Sequence, residues 1–471
     1  MTDTNLATGD IASLAPLIES GQISPVDLTR AVVDRIGQLN GKLNAFISLY
    51  PELALDQARD AETEIQAGRY LGPLHGIPIG IKDLYLVAGM RRTCGSGFLR
   101  EDPSPVDATA VARLRAAGAI IVGLLNLNEF AYGTTGINPH VGSARNPWNT
   151  DYACGGSSSG SGCAVAASLV AAAMGTDTGG SIRIPASLTG VVGLKQTYGL
   201  VSRLGIYPLS ESFDHGGPLT RTVRDAALML QAIAGEDQAD PTTWRVPIGD
   251  YTAGLGKSIK GKRIGVAKQY FFEDLYPGTE DRVRTAIDVL ADLGAEICQV
   301  SLPFAAEAFE RWATICGPEA YTVHKNHALE TPGALAPEVE TRVLAGRNIS
   351  AHDYVRARNF QDRVKRDTAA LMKDIDIIVT PTTPIPAPDI KTGYLEMNGQ
   401  TMDGAKVLGR FTRFADFTGQ PAISLPCGFN DEGMPVGLQL MGRWFDEEDL
   451  LSVAQAYETA TSWHRERPKD L

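Results

Sequence analysis

Histidine is scarce where a serine nucleophile would need it. The chain of 471 residues has seven, and none lies within thirty positions of Ser181 in the stretch GTDTGGSIRIP (175–185). A serine served by a histidine close in sequence is therefore absent from this segment. Cysteine is also sparse. Six occur, with no CxxC pair, which argues against a disulfide framework and for free thiols in a reducing compartment. Long apolar runs are missing. The longest small-apolar stretch, Cys163 to Met174, is too short to cross a bilayer, and the N-terminal MTDTNLATGDIASLAP is acidic without an apolar signal core. A cytoplasmic protein away from membranes is expected. Positive charge is in deficit: 43 Lys and Arg against 55 Asp and Glu give a net charge of −12. With no basic cluster, direct contact with nucleic acid is disfavoured. There is no GxxxxGK[ST], and no GxGxxG between a strand and a helix. No metal or organic cofactor is expected.

What is present reads as a folded α/β chain. Hydrophobic residues make up 44% and charged residues 21%, ordinary for a globular protein with a large core. Residues 9–37 carry helical apolar spacing, with Pro25 opening the second helix. IPIGIKD (77–83) alternates, which puts Lys82 on the same strand face as Gly80. A helix over 106–118 leads into the buried strand AIIVGLL (119–125), and a helix of small residues is expected over 163–174. Strands follow at 263–268, 375–381, 422–428 and 436–442, with helices at 279–293 and 446–461. The mixture predicts a sheet layered by helices, in a single domain over 1–471. Residues 235–400 read as a more polar, loop-rich part around a site.

Several residues carry chemical promise. GGSSSGSG (155–162) runs straight into an apolar segment, so tight packing fits it better than a flexible linker. Its match to GxSxG at Ser158 lacks the apolar strand that a nucleophile elbow requires. GTDTGGS reads either as a glycine turn or as a loop whose backbone N–H groups converge beside Ser181. Asp214-His215 reads as a turn before Gly216-Gly217-Pro218, and His324 with His327 as an exposed helix face. Lys82 is either a snorkelling, salt-bridged lysine or a buried amine neutral enough to act as a base.

Taken together, GIPIGIKD (76–83), NLNEFAYG (126–133), RNPWN (145–149), the block 155–199, SFDHGGPLTRTVRDAA (212–227), GQPAISLPCG (419–428) and GMPVGLQLMG (433–442) resemble the amidase signature family over most of the chain. The resemblance implies a central mixed β-sheet covered on both faces by α-helices. It implies a catalytic core at about 60–230, with 235–400 shaping the substrate pocket. It further implies Ser181 as nucleophile, Ser157 as a bridging serine on a cis peptide after Gly156, and Lys82 as base. Backbone N–H groups of Thr178, Gly179, Gly180 and Ser181 would hold the oxyanion. Asp177 and Arg183 would brace the loop, Ser158 would join the network, and Thr176 would help place Lys82. Ser159 departs from the glycine that many members carry. Tyr132 departs from the methionine that glutamine-hydrolysing A subunits tend to carry.

The expected activity is hydrolysis of a carboxylic amide, hydrazide or ureide through a Ser181 acyl-enzyme, by a stand-alone enzyme, with a homodimer allowed. Its partner would be a small-molecule amide substrate, with no direct contact with nucleic acid and none with a membrane. The alternative is the glutaminase A subunit of a tRNA-dependent amidotransferase. Phe130, Tyr132, Tyr207 and Trp312 are candidates for an apolar acyl pocket.

Overall fold

The computed structural model describes residues 6–99 and 101–469. Residues 1–5, where the acidic N-terminal stretch begins, lie outside the described residues. The described strands are β1 (Phe46–Leu49), β2 (Pro78–Lys82), β3 (Ile120–Leu125), β4 (Ala172–Asp177), β5 (Val192–Lys195), β6 (His215–Thr220) and β7 (Arg263–Ala267). They continue with β8 (Glu296–Val300), β9 (Ile377–Pro381), the hairpin β10 (Tyr394–Met397) and β11 (Gln400–Asp403), β12 (Ala422–Phe429) and β13 (Pro435–Met441). Eleven of them form one sheet in the order β1-β3-β2-β4-β6-β5-β12-β13-β9-β7-β8. The sheet is mixed. Strands β3, β2 and β4 run parallel to one another, as do β9, β7 and β8, and the other neighbours are antiparallel.

Helices lie over both faces of the sheet, so its central strands are shut off from water on each side. The apolar run of β3 is buried at every position, as expected of a strand covered twice. Local chemistry sets the helix ends. Ser24 accepts hydrogen bonds from Val26 N and Asp27 N, and Pro25 follows at the first helical position of Pro25–Leu43. Among the described residues, no helix is long and apolar enough to cross a membrane.

Three readings of the sequence are corrected here. The small-residue helix spans Ser159–Ala166, not 163–174. The chain turns at Ala167–Ala171 and re-enters the sheet as β4, because a short all-apolar run serves a buried strand as well as a helix. Residues 235–400 are not loop-rich: they hold the 26-residue helix Ala305–Glu330, the 21-residue helix Ala351–Leu371 and strands β7 to β9. Their polarity belongs to outward helix faces. Asp214-His215 is no free turn either, since His215 opens β6 and pairs with Asp177 of β4.

The parallel pair β2 and β4 ends side by side, with Ile81 opposite Met174. The carboxyl ends of parallel strands are where open α/β sheets place their ligand sites. Lys82 closes β2 there, and the loop 178–182 leaves β4 at the same edge.

Candidate active site

Lys82 is completely buried. Its Nζ stands 2.7 Å from Ser157 Oγ, 2.9 Å from Ser158 Oγ and 2.7 Å from Thr176 Oγ1. Among the described residues, no carboxylate forms an ion pair with it. Burial drives its pKa well below the ordinary lysine value, against the weaker pull of Asp177 and Asp214. The snorkelling reading is thereby excluded. The Gly156–Ser157 peptide is cis. Ser158 also donates to Thr176 O at 3.2 Å and accepts from Thr176 N at 3.2 Å, tying the serine loop to β4. Close packing demands the glycines around it. A Cβ on Gly160 would collide with both Ala45 O and Asn126 N.

Ser181 is 5% exposed, at the floor of a cavity of about 130 Å³. Its hydroxyl makes no hydrogen bond to Ser157 among the described residues, while its carbonyl accepts from Ser158 N at 3.2 Å. The loop beneath it is held by a saturated ion pair. Arg183 donates through Nε to Asp177 Oδ2 (3.0 Å) and through Nη2 to Asp177 Oδ1 (2.9 Å) and Asp416 Oδ2 (2.7 Å). Its Nη1 donates to Thr412 O and Gln439 Oε1, each at 2.8 Å, so all five N–H groups are engaged. Burial alone would raise the Asp177 pKa, but Arg183 overrides it and holds the carboxyl well below its usual range.

One expected oxyanion donor is corrected. Gly180, at φ +120°, gives its N–H to Asp177 Oδ1 at 2.6 Å. That amide is spent on bracing the loop, which leaves Thr178, Gly179 and Ser181. Thr178 is fixed on both sides: its hydroxyl donates to Asp214 Oδ1 (2.7 Å), and its carbonyl accepts from Trp312 Nε1 (2.9 Å). Thr412 donates to Gly179 O at 2.8 Å.

The acyl-pocket candidates divide. Tyr132 and Trp312 line the cavity. Phe130 and Tyr207 do not: they lie 5.2 Å apart by ring centroid and pack on His324 at 4.8 and 5.8 Å. His324 is fully buried, against the exposed face expected of it, and burial pushes its pKa down to about 3. Its long helix turns that face inward against these rings. His215 lies behind the loop, with Nδ1 2.6 Å from Phe213 O and Nε2 3.2 Å from Lys195 Nζ. Burial and Lys195 hold its pKa well below the ordinary value, so the ring is neutral. Among the described residues, no group of three or more His, Cys, Asp or Glu could hold a metal.

Two charged cavity residues went unseen in the sequence: Arg342, from helix Pro337–Gly346, and Arg413, which opens helix Arg413–Thr418. Neither lies in a stretch with a chemical motif. Only the proximity of Arg413 to GQPAISLPCG gave a signal.

The chain matches the Amidase family model over residues 27–451. The A subunit of the glutamyl-tRNA(Gln) amidotransferase of Geobacter sp. (strain M21) is 40% identical to it, over 96% of this chain and 97% of that protein. A solved structure described for a vestigial protein complex and the evolutionary origins of an s-triazine catabolic enzyme superposes with a TM-score of 0.91 at 35% identity, covering 96% of this chain and 98% of that one. Native peptide amidase from Stenotrophomonas maltophilia superposes with a TM-score of 0.85 at 35% identity, covering 97% of each chain. The first of these relatives corrects an expectation. It is one subunit of an enzyme, and its name ties it to a tRNA, so the expected self-contained enzyme, alone or as a homodimer and free of nucleic acid, is overturned. Tyr132 was no guide to this, because it lines the cavity at Ser181, and how a subunit assembles is decided on its outer surface. Family match, sheet order and close relatives agree: this chain is an amidase-family hydrolase and belongs to the amidase signature family.

Proposed function

We propose that this chain is the amide-hydrolysing A-type subunit of an amidotransferase-like assembly, working through an acyl-enzyme on Ser181. The observation that carries the chemistry is the buried Lys82 amine, 2.7 Å from Ser157 Oγ beside the cavity that Ser181 opens. A neutral amine has two N–H donors and one lone pair. The Ser158 hydroxyl hydrogen is used on Thr176 O, so Ser158 accepts from the amine. Thr176 Oγ1 takes the second N–H. The lone pair is then free for the Ser157 proton.

The steps follow. Ser157 passes its proton to Lys82 and takes the proton of Ser181, whose oxygen attacks the amide carbon. The N–H groups of Thr178, Gly179 and Ser181 receive the negative charge forming on the carbonyl oxygen; one such donor is worth about 2.7–4 kcal/mol. As the C–N bond breaks, the proton returns through Ser157 to the leaving nitrogen, which departs as ammonia. Water then attacks the ester, giving the acid and free Ser181. The subunit reading is supported by the name of the 40% identical relative: the ammonia passes to a partner subunit that holds the aminoacyl-tRNA.

Two measurements test the two halves. Hydroxylamine added during turnover of a primary amide should give a hydroxamate, and Ser181→Ala should abolish it. Hydrolysis that persists in Ser181→Ala removes the acyl-enzyme. Ammonia release should rise when the full chain is joined by its partner proteins. Equal rates with and without them remove the subunit half.

A further inference from the structure

Four arginines from three parts of the chain meet where the turn after helix Ser159–Ala166 leads into β4, the opposite end of that strand from Ser181. A cavity of about 380 Å³ opens there, lined by Arg35, Arg465, Arg467 and the turn Ala166–Ser168. Arg35 donates through Nη2 to Ala167 O (2.8 Å) and through Nε to Ser168 O (2.9 Å). Arg221 stands behind the same turn, with Nη2 donating to Val165 O (2.5 Å) and Ala166 O (2.9 Å). These bonds satisfy carbonyls left open where the helix ends. They do not exhaust the donors: Arg221 is 4% exposed, and its Nη1 is buried without a partner among the described residues. A buried donor without an acceptor is costly, and more so when charged. Arg465 and Arg467 bond only within their own segment, Arg465 to His464 Nε2 (3.4 Å) and Arg467 to the carbonyls of His464 and Glu466 (2.9 and 3.2 Å). Among the described residues, none of the four forms an ion pair. The acids that face them are Asp10 and Glu466, and Asp10 Oδ1 is already taken by Ser13 N at 2.8 Å. Four positive charges thus stand against two negative ones, in a chain of net charge −12. Their field is felt nearby. Burial, Arg465, Arg467 and Arg221 all push the His464 pKa down. Burial and Arg467 press that of Arg221 down to about 9, which leaves it cationic at neutral pH.

We infer that this cavity is a second binding site, for the phosphate group of a small phosphate monoester, held by Arg35, Arg465 and Arg467 in the field of Arg221. The inference is independent of the Ser181 reading and of the assembly. Guanidinium forks match phosphate oxygens in geometry. A monoester brings a charge of about −1.5 to −2 and three acceptor oxygens, which balances the excess of positive charge. A carboxylate brings one charge and two oxygens, and leaves the cluster half answered. The cavity volume lies within the roughly 300–1,000 Å³ of small-molecule pockets, so the phosphate has room for an organic body, and Ala166, Ala167 and Pro468 give that body an apolar wall. A nucleic-acid backbone fits less well. It offers one charge per phosphate, and the net negative charge of the chain repels a long polyanion.

The test is calorimetric titration of the full chain with phenyl phosphate, against benzoate as the matched carboxylate. Phenyl phosphate should bind at one site, and benzoate at least about tenfold more weakly, the worth of one charge-assisted contact. Arg465→Gln and Arg467→Gln should each weaken phenyl phosphate by roughly 10- to 100-fold. The melting temperature of the free chain should stay near that of the wild type, since neither side chain bonds outside its own segment. Ser181→Ala should leave the binding unchanged, because the site lies at the other end of β4. Inorganic phosphate should displace phenyl phosphate, and a short RNA without a terminal phosphate should not. If the arginine variants do not fold, the wild-type preference over benzoate and the two displacement experiments decide. Absence of binding at millimolar phenyl phosphate overturns the inference, as does benzoate binding of equal strength. Binding that survives in both arginine variants, or is lost in Ser181→Ala, puts the ligand elsewhere and overturns it too. Displacement by the RNA assigns the cluster to a nucleic-acid backbone and ends the monoester reading.

Discussion

Beneath the cavity, Lys82 and residues 155–183 offer backbone, glycine, short hydroxyls and matched polar groups: Lys82 meets three hydroxyls, and Arg183 meets Asp177 and Asp416. Above it, the helix Ala305–Glu330 and the segment 404–418 offer large rings and Arg413, whose Nε is buried without a partner among the described residues. A floor built this way works through backbone geometry and can serve any amide. A roof of bulky, unmatched side chains chooses among amides. Two contacts join them, Trp312 Nε1 to Thr178 O and Thr412 Oγ1 to Gly179 O, so a change in the roof is felt by the loop that holds the oxyanion.

Substitutions can break or sharpen this division. The largest effect belongs to the floor. Lys82→Ala should lower amide turnover by on the order of 10²–10⁴-fold, read as the rate of ammonia release; near-normal turnover removes the base and with it the chemical meaning of the floor. Asp177→Asn comes next, because it removes the negative charge and one of the two carboxylate oxygens that Asp177 offers Arg183. Breaking a buried pair costs about 3–5 kcal/mol, measured by urea unfolding. The wild-type contribution has a definite sign: the Asp177 pKa is depressed in the folded chain, so its stabilisation is present above about pH 4 and fades as pH falls toward the depressed value.

Turnover should also follow the Lys82 proton. The protonated amine has no lone pair for Ser157, so the rate should drop about tenfold per pH unit below the amine's pKa. The midpoint should lie well below the free-lysine value of about 10.4, because burial lowers it. A midpoint at the free-lysine value makes Lys82 a solvated bystander. Smaller still is Trp312→Phe, which keeps a ring against Arg413 and removes the bond to Thr178 O. The loss of about 1 kcal/mol should reduce kcat/KM several-fold, and the cost should be shared by all amides if the bond serves the floor. Ser159→Ala sits at the bottom of the scale. The Ser159 hydroxyl is buried without a partner among the described residues, so stability should shift by no more than about 0.5 kcal/mol; a large loss assigns Ser159 a role in the serine loop.

Legibility in the sequence follows the same division. The α/β class, the strands at 120–125 and 422–429 and the helices at 279–292 and 447–460 are all carried by local periodicity. The helix expected over 163–174 failed because a short apolar run lacks the information to choose between helix and strand; the slot between β2 and β6 made 172–177 a strand. Phe130 and Tyr207 were misplaced as pocket residues because a ring's composition says nothing of which side of a layer it faces. His324 was misplaced for the same reason.

From its letters alone, the chain determined which segments can approach closely: Gly160 and Gly180 admit neighbours that any Cβ would repel, and the alternation of 77–83 puts Lys82 on one strand face with Gly80. Tertiary structure alone decided that Lys82 would be buried against three hydroxyls, that Arg183 would meet Asp416, 233 positions away, that Gly180 would spend its N–H on Asp177, and that Arg413 would arrive at the Ser181 cavity with its Nε unpartnered among the described residues. Steric permission is a property of single residues and their neighbours. Charge matching across hundreds of positions exists only after the layers have packed.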